Sequence, residues 1–136
     1  MSKLRTLLLI DDNLAHGHAF QNSLLSATGG PFRGEWVKTL AEAFETLAHK
    51  QIWAIFLNLC LPGDQGLPQY DALRKAAPGV PTLVLAGIGD EAMVTEALRR
   101  GAKDFLLGTQ IDPYSFGRAL RHPAATDSAE KRIFTQ

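Results

Sequence analysis

Asp11 and Asp12 follow directly on the apolar run Leu7 to Ile10. Two adjacent carboxylates at the end of such a run oppose each other's ionisation unless water or a cation shares them. Hard oxygen ligands of this kind suit magnesium, which takes one or two protein carboxylates and keeps several waters. A plainer use is also open: Asp12 or Asn13 capping a helix that begins there, because helix N-termini attract acids and short polar side chains. His16 and His18 lie just beyond. Their i, i+2 spacing sets them about 200° apart around a helix, so they cannot share an ion, and surface or cap positions are expected for both. Cys60 is the one cysteine of the chain. It can form neither an internal disulfide nor a zinc site, and with no cation near it in sequence it reads as an inert thiol.

These residues must be positioned by the segments around them. Leu7 to Ile10, Ile52 to Leu57 and Thr82 to Ala86 are apolar without polar alternation, the pattern of strands covered on both faces. Gly34 to Val37 and Asp104 to Leu107 are weaker candidates suited to positions near a sheet edge. Between them run helical patterns. Asn13 precedes a helix with Gly17, Phe20 and Leu24 inward, and Thr39 with Glu42 forms a capping box ahead of Leu40, Ala43, Phe44, Leu47 and Ala48. A third helix spans about Leu67 to Ala77 and stops at Pro78 and Gly79; a fourth starts behind Asp90 and ends at Gly101. Asp112 and Pro113 open a fifth, whose inner face is Phe116, Ala119 and Leu120. Strands alternating with helices predict an α/β fold with a parallel sheet, (βα)5. In an open parallel sheet ligands bind beyond the carboxyl ends of the strands, which directs attention to Asp11, Asp12, Asn58, Ala86 and Gly108.

The chain has 136 residues, 46% of them hydrophobic, with 14 basic and 14 acidic side chains. At this length roughly two thirds of the unfolded surface can be buried, enough for one globular domain without staples. The absence of a basic excess argues against a nucleic-acid binder. Leu7 to Ile10 is too short for a membrane span or the core of a signal peptide, so the expected setting is cytoplasmic, which also suits the lone thiol. From Pro123 onward small and polar residues dominate. The expected division is a folded domain over 1–121 and a linker or C-terminal tail over 122–136.

Four stretches carry a resemblance to the receiver domains of two-component response regulators: Leu7 to Asn13, Leu57 to Leu67, Val80 to Gly87 and Glu96 to Leu106. The resemblance implies a doubly wound, flavodoxin-like five-stranded sheet of order 2-1-3-4-5. It also implies an acidic metal pocket, a phosphorylated aspartate after the third strand, a Ser or Thr after the fourth and a Lys after the fifth. Asp11 and Asp12 match. The other three positions are Asn58, Ala86 and Gly108. An amide nitrogen is not a nucleophile, so Asn58 cannot form an acyl phosphate. Ala86 has no hydroxyl to hold a phosphoryl oxygen, and Gly108 removes a fixed positive charge. By this count the pocket has two acids and no base, and holds at best a weakly bound magnesium on Asp11 and Asp12. Phe105 takes the place of the family's aromatic switch residue, and core packing is its plainer role.

The expected function is accordingly non-enzymatic: a phosphorylation-independent pseudo-receiver that acts as an interaction or dimerisation module, as the N-terminal part of a larger signalling protein. No cofactor is required. A signalling kinase, an output domain or a second copy is the expected partner, with neither nucleic acid nor membrane. The resemblance places the partner face around the last two helices, at Arg99, Lys103, Asp104 and Arg118, where a merely solvated charged belt is the alternative. Two other functions remain open. One is a working phospho-acceptor that uses Asp64, Asp11 or Asp12; the other is a small-ligand binder at the C-terminal edge of the sheet.

Overall fold

The computed structural model describes residues 4–27, 30–61 and 66–121. Asp64 and the segment 122–136 lie outside the described residues. Five strands alternate with five helices: β1 (Arg5–Ile10), α1 (Leu14–Leu24), β2 (Phe32–Val37), α2 (Leu40–His49), β3 (Ala54–Asn58), α3 (Leu67–Ala76), β4 (Thr82–Ala86), α4 (Glu91–Arg99), β5 (Asp104–Leu107) and α5 (Pro113–Arg121). A 3₁₀ turn, Gly108–Gln110, joins β5 to α5. The strands form one parallel sheet of order β2-β1-β3-β4-β5, the flavodoxin-like doubly wound arrangement.

The pleat sorts each continuous apolar run onto two faces. Leu8, Ile10, Ile55, Leu57, Val84 and Phe105 join one core beneath α2, α3 and α4, with Tyr70, Leu73, Val94 and Ala97. Leu7, Leu9, Phe56, Leu83, Leu85 and Leu106 join the other beneath α1 and α5. There Phe20, Phe56 and Phe116 form a triad of edge-to-face rings with centroids 4.7 to 5.9 Å apart.

Local chemistry sets the element ends. Asn13 accepts from His16 N, Thr39 from Glu42 N and Asp112 from Ser115 N, each capping its helix. Glu42 reaches back one residue further than a capping box requires, accepting from Lys38 N. Gly101, at φ 112°, ends α4: its N–H bonds Leu98 O while Ala102 N–H bonds Ala97 O, the paired C-terminal closure that a left-handed residue allows. That turn launches β5 directly.

Three expectations need correction. β3 begins at Ala54 rather than Ile52; just before it, Trp53 bonds Thr6 O through its N–H and sets its exposed ring beneath the Arg5 guanidinium, 4.6 Å from the ring centre. The inner stripe of α2 is only partly covered: Ala43 is buried, whereas Phe44 is 37% exposed and Ala48 exposed. Phe44 and Ala48 line a shallow, open groove with Ala76 of α3, which the two helices leave uncovered. Asp90 does not cap α4 with its side chain, which turns instead to another loop.

Candidate functional site

Parallel pairing sets Ile10 beside Leu57 in the adjacent strand, so the residues that follow, Asp11 and Asn58, emerge together at the carboxyl edge of the sheet. Asp11 is wholly buried. Its Oδ1 accepts from Asn13 N at 2.9 Å, the turn that leads the chain into α1, and from Asn58 Nδ2 at 2.9 Å. Its backbone O accepts from the Trp36 indole Nε1 at 2.8 Å, and its N–H donates to Val37 O at 3.0 Å. Asn58 is 8% exposed and its Oδ1 accepts from Cys60 N at 2.8 Å. Asp12, by contrast, is exposed.

A basic side chain enters this pocket from α1, which corrects the count of two acids and no base. His16 Nδ1 lies 2.7 Å from Asp11 Oδ2. A carboxylate only accepts, so Nδ1 is the donor in this contact. The ring rests over Gly108, where an added methyl group would lie 2.6 Å from His16 Nε2. His16 occupies the third position of a helix capped by Asn13, and a side chain there reaches back toward the residues before the cap. That was the available signal: the spacing argument excludes a partnership with His18 but says nothing against Asp11. His18 faces outward, its ring 5.6 Å from that of Trp36. Trp36 in turn packs on Gly17, where a Cβ would meet the indole at 2.1 Å.

Ala86 and Phe105 are both buried in the α2–α4 core, and Leu107 pairs with Ala86 across the sheet so that Gly108 begins just beyond it. Cys60 Sγ donates to Asp90 Oδ2 at 3.2 Å, and the same oxygen accepts from Gly87 N at 2.9 Å. Burial, then the Asp90 hydrogen bond and charge, push the Cys60 thiol above its ordinary value, in keeping with an inert thiol.

The charged belt is less open than expected. Arg99 is exposed, but Asp104 is only 3% exposed and its Oδ1 accepts from Phe105 N. Lys103 Nζ donates to Ala119 O at 3.1 Å and Leu120 O at 2.6 Å, closing the end of α5, and burial lowers its ammonium against the opposing charge of Asp104. Asp104 is buried at the start of β5 because both faces of the sheet are covered, whereas Lys103, just before the strand, is held by the carbonyls at the end of α5. Arg118 is half-buried. A cleft of about 580 Å³ lies at the opposite end of the sheet, lined by Arg5, Thr6, Trp53, Pro81 and Lys103, while the carboxyl edge has a smaller one of about 250 Å³ beside Asp12, Lys38, Thr39 and Gln69.

Comparison with known proteins extends this geometry. The family described as response regulator receiver domain matches residues 7–110. The chain is 33% identical over 66 residues to the uncharacterized transcriptional regulatory protein YesN of Bacillus subtilis, covering 48% of this chain and 18% of that protein. It is 31% identical over 100 residues to the swarming motility regulation protein RssB of Serratia marcescens, covering 74% of this chain and 44% of that one. Against the solved structure of a Burkholderia pseudomallei response regulator with a phosphorylated aspartic acid, calcium ion and citrate, the TM-score is 0.76 at 24% identity, with 97% of this chain and 75% of that one covered. The chain thus spans less than half the length of these two curated relatives.

Proposed function

The chain belongs to the response regulator receiver domain family, and from that premise we propose that it is a phosphorylation-independent pseudo-receiver, a signalling module that works by protein contact. One observation carries this reading: the amide at the third strand's end is built into the pocket as a hydrogen-bond donor. Asn58 Nδ2 binds Asp11 Oδ1 and Asn58 Oδ1 is held by Cys60 N, so the side chain is fully used in structure and is no nucleophile. Ala86 and Gly108 supply neither the hydroxyl nor the amine that phosphoryl transfer needs. Asp11, offered as a substitute acceptor, has both carboxylate oxygens engaged.

In this reading the partner is a protein, a signalling kinase, an output domain or a second copy, and the domain works in the cytoplasm within a larger signal-transduction protein. Arg99 and Arg118 are the belt residues left to meet a partner. The balanced charge supports protein over nucleic acid, and no helix among the described residues is long and apolar enough to cross a membrane.

Incubation with acetyl phosphate and magnesium followed by intact mass tests the proposal. The expected spectrum shows the unmodified chain; a stable stoichiometric phosphoryl adduct on the wild-type protein overturns it.

A further inference from the structure

Receiver domains imply a magnesium ion at the acidic pocket, and the donor atoms of this chain do not fit one. Magnesium needs bare oxygen lone pairs in near-octahedral array. Here Asp11 Oδ1 already faces two N–H groups, from Asn13 and Asn58. Asp11 Oδ2 faces His16 Nδ1, and Asn58 Oδ1 is turned away to Cys60 N. Each of these contacts points the positive end of an N–H dipole at the oxygen a cation would seek. Among the described residues no group of three His, Cys, Asp or Glu side chains stands close enough to hold an ion.

The key to this arrangement is a match between two elements distant in the chain. α1 brings His16 to the edge of the sheet, and β5 is followed by Gly108, the residue type that leaves room for the ring. The side chain of His16 is only 25% exposed there. We infer that His16 is a built-in counter-group that fills the volume open at Gly108, closes the acidic pocket over Asp11 and excludes divalent cations. The weak magnesium site expected of Asp11 and Asp12 does not form while the imidazole is in place, since Asp12 alone is an exposed carboxylate. The carboxyl edge of the sheet then keeps one arrangement with or without metal. This inference rests on the pseudo-receiver reading, for which a partner face indifferent to metal and phosphoryl group is the natural consequence.

Titration with magnesium and manganese, followed by amide and indole shifts in nuclear magnetic resonance, tests it. The reporters are the N–H groups of Asn13 and Cys60 and the Trp36 indole, which bonds Asp11 O. The wild-type protein is expected to show no saturable shift at millimolar magnesium. His16→Ala frees Oδ2, and Gly108→Ala displaces the ring without removing it. Each is expected to bind at least about tenfold more tightly, the effect of losing one charge-assisted hydrogen bond to a buried carboxylate. Saturable wild-type binding as tight as that of His16→Ala overturns the inference. So does a folded pair of variants with no gain, which would assign the exclusion to Asn58 instead. Should neither variant fold, the wild-type His16 Nδ1 proton decides: a shift of its resonance on adding magnesium is likewise contrary. The acetyl phosphate assay on the same samples separates the two claims, because cation binding without an adduct sinks the role of His16 and leaves the pseudo-receiver reading standing.

Discussion

Asn58 donates its side-chain amide to Asp11 Oδ1 at 2.9 Å, from a site where it is 8% exposed and its acceptor fully buried. The residue at the end of the third strand therefore helps to satisfy the acid beside it. In a receiver that carries an aspartate there, a cation must mediate between two carboxylates.

Asn58→Asp follows from that relationship. The variant loses a donor and sets two carboxylates against each other, with a destabilisation of about 3 kcal/mol at pH 7. The new pair shares a proton as pH falls, so the native state binds more protons than the unfolded chain. The loss shrinks between pH 7 and 5. Urea unfolding at the two pH values reads this, and an unchanged midpoint at pH 7 would contradict it. Acetyl phosphate is expected to label the variant poorly, because Ala86 and Gly108 remain; efficient labelling would show that neither position matters.

Gly17→Ala tests the contact between α1 and Trp36. Helix propensity favours alanine by about 1 kcal/mol. Against that, the Cβ meets the indole at 2.1 Å, and overpacking costs about 1–3 kcal/mol, with about 1 kcal/mol more if the Trp36 bond to Asp11 O breaks. The clash prevails. The expected result is a lower unfolding midpoint with an altered indole resonance, whereas a stabilised protein would mean that the ring shifts freely.

Asp90→Asn addresses the thiol. Burial is the first cause of the raised Cys60 value and remains in the variant, whose amide oxygen can still accept from the thiol, but the carboxylate's charge is removed. The titration moves down in pH and the thiolate fraction at pH 8 rises. Alkylation by iodoacetamide should quicken about threefold or more, since the gain in thiolate exceeds the loss of intrinsic nucleophilicity. An unchanged rate across pH 7 to 9 would assign the raised value to burial and hydrogen bonding rather than to the charge of Asp90.

Phe116→Ala removes one ring of the triad beneath α1 and α5. Truncating a fully buried aromatic costs about 3–5 kcal/mol. The amides of β2, at the sheet edge opposite β5, should keep their relative protection in hydrogen exchange; selective loss at Asp11 would tie the pocket to this core.

Much of the fold is legible in the chain because it is written locally. Thr82–Ala86 and Asp104–Leu107 are bounded as expected, since Pro81 and the glycines Gly87 and Gly108 punctuate the apolar runs. Asn13, Thr39 and Asp112 cap their helices as their residue types require, and Phe116, Ala119 and Leu120 form the buried face of α5 that their spacing implies. Asp90 shows where local reading ends: its type suits a cap, yet its carboxylate serves Gly87 and Cys60.

Residue identities alone determine that Asn58 cannot carry a phosphoryl group and that Ala86 and Gly108 cannot assist one, because those are properties of functional groups wherever they stand. Tertiary structure decides what stands in the emptied place. The burial of Asp104 depends on helices covering both faces of the sheet, the direction of Lys103 on where α5 ends, and the exposure of Phe44 on the groove left between α2 and α3. The seat of His16 beside Asp11 depends on a glycine four strands later in the chain, since a side chain's direction is set by the volume its neighbours leave, and those neighbours meet only when the sheet has formed.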